Sequence, residues 1–161
     1  MKRMQLLLAL GLAGVGMAAL AACTHEQPSV ALNPQYRLAY DDKGETVALA
    51  YGLPNSDDVA LMLECAKGSG RVELSDTIRD KRATAVVLSS DGKKTSVPVR
   101  AEAGEAAEDE ILTGQLPLSA PALQGLRRTG VLQVSSGQAR YIITVGPGGR
   151  PGVERFFKAC G

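Results

Sequence analysis

Few residues in this chain have the type and spacing for chemistry. His25 is its only histidine, and it lies near the N-terminus, outside the patterned part of the sequence. A Ser or Cys nucleophile needs a base beside it, and His25 cannot serve a domain it lies outside. Ser89, Ser90, Ser135 and Ser136 fall where hairpins turn, a position that suits serine for its own hydrogen bonds. Neighbouring acids occur at Asp41-Asp42, Asp57-Asp58 and Glu108-Asp109-Glu110. Glycosidic hydrolysis needs two carboxyls held about 5–9 Å apart across the bond, which sequence neighbours do not ensure. Asn55-Ser56-Asp57-Asp58 clusters oxygen ligands but lacks the regular spacing of a calcium loop and reads as a solvated turn. "GSGRVEL" leads into a strand, not a helix N-terminus, so it is no phosphate loop. Arg127-Arg128 reads as a solvated helix end. No catalytic residue, metal ligand set or cofactor site is predicted.

The three cysteines, Cys23, Cys65 and Cys160, are more informative. Met1-Lys2-Arg3 is a basic start, Leu6 to Ala22 follows without a charge, and small residues precede Cys23. This is the pattern of a secretory leader, and the run is short for a spanning helix of about 20 residues. Leu20-Ala21-Ala22-Cys23 resembles the lipobox of bacterial lipoproteins. That resemblance implies cleavage before Cys23, a diacylglycerol on its thiol and an acyl chain on its amine. Thr24, where Asp would signal retention, implies by analogy the outer membrane, with the domain facing the periplasm. Two acyl chains give stable anchoring where one is marginal. The segments expected are therefore a signal peptide over 1–22, a lipidated flexible tether over 23–34 and a single β-rich domain over 35–161.

Cleavage leaves 139 of 161 residues, enough for one domain. Without Lys2 and Arg3, 16 basic side chains face 17 acidic ones, a net charge of −1. No basic excess remains to attract phosphate, and with no Trp, two Phe and four Tyr there is little to stack on bases. Nucleic acid is not an expected partner; the membrane, through the anchor, is.

The elements that position these residues read as hairpins. "YRLAYD" and "ETVALAY" alternate with period two around Asp42-Lys43-Gly44. "DVALMLEC" and "RVELSD" flank Lys67-Gly68-Ser69-Gly70. "ATAVVLSS" and "KTSVPVRA" flank Asp91-Gly92, a strong hairpin signal because both positions tolerate positive φ. Pro98 cannot donate to a ladder, which predicts an edge or a bulge. Gly104–Glu110 reads as an acidic loop or short helical turn, and "EILTGQLPL" as a further strand. "VLQVSS" and "ARYIITV" turn at Gly137. "PALQGLRRTG" predicts a short helix from Pro121 to a stop at Gly130. In "VERFFKACG", Val153, Phe156, Phe157 and Cys160 share one helical face, while Glu154 and Lys158 are spaced to pair.

The predicted fold is mainly β, an antiparallel sandwich or barrel of hairpins with a short C-terminal α-helix. With Cys23 lipidated, Cys65 on the apolar face of a strand and Cys160 on that of the last helix remain as a disulfide pair, suited to an oxidising compartment. The function that follows is a non-catalytic envelope lipoprotein that binds a protein or cell-wall component, or plays a structural part. "SSGQARY" (Ser135–Tyr141) also resembles the Ser-Gly-x-x-Tyr loop of membrane-bound inhibitors of c-type lysozyme, small β-barrel lipoproteins. That resemblance implies contacts through Ser136, Gly137 and Tyr141. The same residues are better read as a plain hairpin turn with Tyr141 in the core. A third reading is a hydrolase whose carboxylates meet only on folding.

Overall fold

The computed structural model describes residues 29–78, 82–103 and 110–161. The leader over 1–22, Cys23, the start of the tether and most of the acidic stretch after Ala103 lie outside them.

Among the described residues nine strands follow the predicted hairpins: β1 (Arg37–Asp42), β2 (Thr46–Gly52), β3 (Val59–Ala66), β4 (Arg71–Asp76), β5 (Ala85–Ser90), β6 (Lys93–Ala103), β7 (Glu110–Pro117), β8 (Val131–Ser136) and β9 (Ala139–Thr144). They form one antiparallel sheet in the order β1-β2-β3-β4-β7-β6-β5-β8-β9, curled into a nearly closed barrel. Alternate residues point inward. Val47 and Leu49, Leu61 and Leu63, Val72 and Leu74, Val86 and Leu88, and Leu132 and Val134 are at most 2% exposed, which places the core inside the curl. Asp91 and Gly92 take φ of 51° and 68°, the left-handed pair that a two-residue hairpin requires.

β6 is neither an edge strand nor bulged at Pro98. Its first half pairs with β5, ending at Ala85↔Pro98, and its second half pairs with β7, beginning at Val99↔Gly114. The proline sits at the corner where one partner replaces the other, so its missing donor falls where the ladder changes hands. Gly114 is opposite both Val99 and Leu74. A Cβ there would lie 2.5 Å from the Pro98 carbonyl oxygen and 2.8 Å from Val97 Cγ1, so the corner closes only over a residue without a side chain.

Two helices pack across one end of the barrel, where the β1–β2 and β3–β4 turns lie. Helix α1 (Pro121–Thr129) begins at Pro121 and stops at Gly130 in the left-handed region, φ 72°, as its sequence predicts. It packs on β5, β6 and β8. Helix α2 (Arg150–Cys160) follows a 3-10 turn at Pro147–Gly149 and packs on β1 and β2. Val153, Phe156, Phe157 and Cys160 are all buried on the predicted face. Glu154 pairs not with Lys158 but across the helices with Arg127, at 2.7 Å. Arg150 donates to the carbonyls of Arg127 and Arg128 at the end of α1.

The structure joins Cys65 on β3 to Cys160 on α2 as a disulfide, with 5.9 Å between their Cα atoms and 95 residues of separation. The β3–β4 turn completes the junction. Gly68 N–H donates to the Ala159 carbonyl and Gly70 N–H to that of Cys160, both at 2.8 Å, so the last carbonyls of α2 find partners in the sheet. No helix among the described residues is long and apolar enough to cross a membrane.

Candidate functional site

The end of the barrel opposite the helices carries the β2–β3 and β8–β9 connections and the last residues of β4 and β6, and polar groups gather inside it. Asp76 closes β4. It continues the inward set of Val72 and Leu74 and is 0% exposed. Tyr141 on β9 donates its hydroxyl to Asp76 Oδ1 at 2.8 Å, and Ile78 N–H donates to the same oxygen at 3.1 Å. Burial, then the Asp76 charge and its hydrogen bond, push the Tyr141 hydroxyl well above its ordinary range.

A second tyrosine–aspartate pair lies beside the first. Tyr36 donates to Asp58 Oδ1 at 2.5 Å. That bond, with burial and the Asp58 charge, pushes its pKa up to about 12. Tyr36 and Tyr51 meet edge to face at 5.7 Å, and burial raises Tyr51 too. Chemically, the cluster consists of tyrosine hydroxyls held protonated near neutral pH, of which those of Tyr36 and Tyr141 donate to carboxyl groups. It joins β9 to β4 and the chain entry to the β2–β3 loop.

The other residues singled out by sequence are dispersed. Asp42 pairs with Lys67 at 2.8 Å at the helix end, where that ammonium and the Gly44 N–H hold its carboxyl below the usual value. Asp57 and Asp58 belong to an exposed turn in which Ser56 Oγ accepts the Asp58 N–H at 3.0 Å and Asn55 has φ 59°. Among the described residues, no three of His, Cys, Asp and Glu come together as a metal-binding set. Ser90 is not a turn residue: it ends β5, buried, and donates to the Val131 carbonyl at 2.6 Å beneath α1. Arg127 and Arg128 are both ion-paired, with Glu154 and Asp91.

The hairpin compared with the inhibitor loop has a different geometry from the one implied. Ser136 is 0% exposed and Tyr141 2%, because both lie on the inward side of their strands; only Gly137 reaches the surface. Three residues, Gln138, Ala139 and Arg140, separate Gly137 from Tyr141, one more than the Ser-Gly-x-x-Tyr spacing holds. The alternative reading, a hairpin turn with Tyr141 in the core, is the arrangement found.

Depressions among the described residues include two that lie near this end and along the wall. One, of about 700 Å³, lies on the outer face of β5, β8 and β9 over Val87, Gln133, Ser135 and Ile142. The other, of about 420 Å³, follows the seam between β1 and β9, beside Tyr36, Arg37, Ile142 and Thr144. Ile142 is 56% exposed, the most open large apolar side chain among the described residues.

The Asp76–Tyr141 pair belongs to no sequence motif. Its signal is present, since Asp76 and Tyr141 each fall on the apolar phase of their strands. No protein-family model matches the chain, and no curated protein or solved structure matches it either.

Proposed function

We propose that this chain is a bacterial envelope lipoprotein, anchored through Cys23 in the outer membrane, whose β-domain is a non-catalytic binding or structural module for a periplasmic protein or cell-wall component. The observation that carries the reading is Leu20-Ala21-Ala22-Cys23 behind a basic start and a charge-free run. A disulfide between Cys65 and Cys160 suits an exported chain and leaves Cys23 as the third cysteine. The non-catalytic part is supported by the buried polar groups. Tyr36 and Tyr141 are held in hydrogen bonds to Asp58 and Asp76, and the sequence offers no histidine inside the patterned domain to serve a nucleophile.

Palmitate labelling tests the anchor. Wild-type protein incorporates label and Cys23→Ala does not; equal labelling contradicts the reading. Crosslinking and pull-down from envelopes then identify the partner. A lysozyme-inhibition assay addresses the second reading, which is the weaker because both of its contact side chains, Ser136 and Tyr141, are enclosed.

A further inference from the structure

The chain enters the fold at the loop end of the barrel, and it enters docked. Ser29 forms a parallel bridge with Arg140, and Val30 N–H donates to the Arg140 carbonyl at 2.7 Å. Because the bridge is parallel, the chain from Ser29 runs in the same direction as β9, away from the β8–β9 turn at Gly137 and Gln138. After the bridge, Leu32 packs against the core. Tyr36 N–H then donates to the Asn33 carbonyl at 3.0 Å, and Gln35 N–H to Asn33 Oδ1 at 2.9 Å. The segment expected as free tether to Pro34 is thus held from Ser29 onward.

Only six Cα–Cα steps separate Cys23 from Ser29, a reach of at most about 20 Å. The wall with its helix layer is taller than this. The eight residues of β3 extend about 26 Å, which at the usual barrel tilt of about 40° is about 20 Å of height, and the helix layer beyond them adds about 10 Å. A chain hooked at the loop end cannot place the opposite end against the surface that holds Cys23.

We propose that the docked entry orients the domain, with its loop end toward the lipid headgroups and its helix-covered end toward the periplasm. The inference rests on the anchor reading and adds a surface to it. The β2–β3 and β8–β9 connections face lipid, and the helix end and barrel wall face soluble partners.

The absence of Trp makes the test direct. Full-length, acylated protein carrying a single donor, either Asp57→Trp at the loop end or Glu45→Trp at the helix end, is reconstituted in phosphatidylcholine vesicles containing dansyl-labelled phosphatidylethanolamine. Both sites are exposed. Energy transfer to the headgroup label is expected to be several-fold greater from the Asp57→Trp donor, and Val30→Pro, which removes the docking N–H, should narrow the difference. Equal or reversed transfer in protein that floats with the vesicles overturns the orientation alone. A difference untouched by Val30→Pro overturns the hook as its cause. Protein that fails to float overturns the anchor, and the orientation with it.

Discussion

Tyr141 and Asp76, 65 residues apart, meet inside the barrel through a 2.8 Å hydrogen bond that ties β9 to β4 across the interior. A buried carboxylate that loses a donor keeps its desolvation cost without the compensating bond. Tyr141→Phe should therefore cost about 2 kcal/mol. Urea unfolding with the disulfide intact checks this, and a loss below about 0.5 kcal/mol, the range of ordinary surface substitutions, would contradict it.

Alkaline stability follows from the same end of the molecule. Tyr36 has its pKa raised from 10.0 to about 12, and Tyr141 is also raised. The folded state therefore holds protons that the unfolded chain has released. The contribution is whole below pH 10, declines above it, and for Tyr36 is lost as the pH passes through about 12. Circular dichroism against pH should show stability falling across this window, and Tyr36→Phe should flatten the fall. An unchanged slope would remove Tyr36 as a source.

The Cys65–Cys160 bridge closes a loop across 95 residues of separation, for which loop-closure entropy gives about 4–5 kcal/mol. Replacing both cysteines with Ala should lower the unfolding free energy by about 4 kcal/mol. Thiol alkylation without reductant should leave Cys65 and Cys160 unmodified; free thiols at both positions would contradict the pairing.

The corner of β6 makes a sharper steric prediction. Gly114→Ala places a methyl group against the Pro98 carbonyl oxygen and Val97, and overpacking of this kind costs about 1–3 kcal/mol. Gly44→Ala meets open space and is opposed only by its φ of 89°, at about 1 kcal/mol. The Gly114 variant should be the less stable of the two in thermal unfolding. The reverse order would mean that the corner relaxes freely.

Local signals account for much of this fold. Asp91-Gly92 specifies its hairpin through φ values open to those residue types, Gly130 ends α1 in the left-handed region, and the i, i+3, i+4, i+7 face of α2 is the buried one. Pairings between distant strands are a different matter. Nothing near Val72 announces Leu116 as its partner, nor Val86 Ser136, because those ladders are chosen by how the whole sheet closes. The corner at Pro98 is hidden for the same reason: the missing N–H is local, but the exchange of β5 for β7 is not. Asp76 was legible through its strand phase, yet its meaning depends on Tyr141 arriving from β9. The docking of Ser29 and Val30 has no sequence signature, since two residues are too few to carry a period.

The central claim is that Cys23 carries the lipid that fixes this domain to a membrane, and intact-mass and N-terminal peptide mass spectrometry of the protein from its native envelope test it most directly. The account predicts a mature chain that begins at Cys23, with diacylglycerol on the thiol and an acyl group on the amine. A chain that retains residues 1–22, or one that begins at an unmodified Cys23, would contradict it.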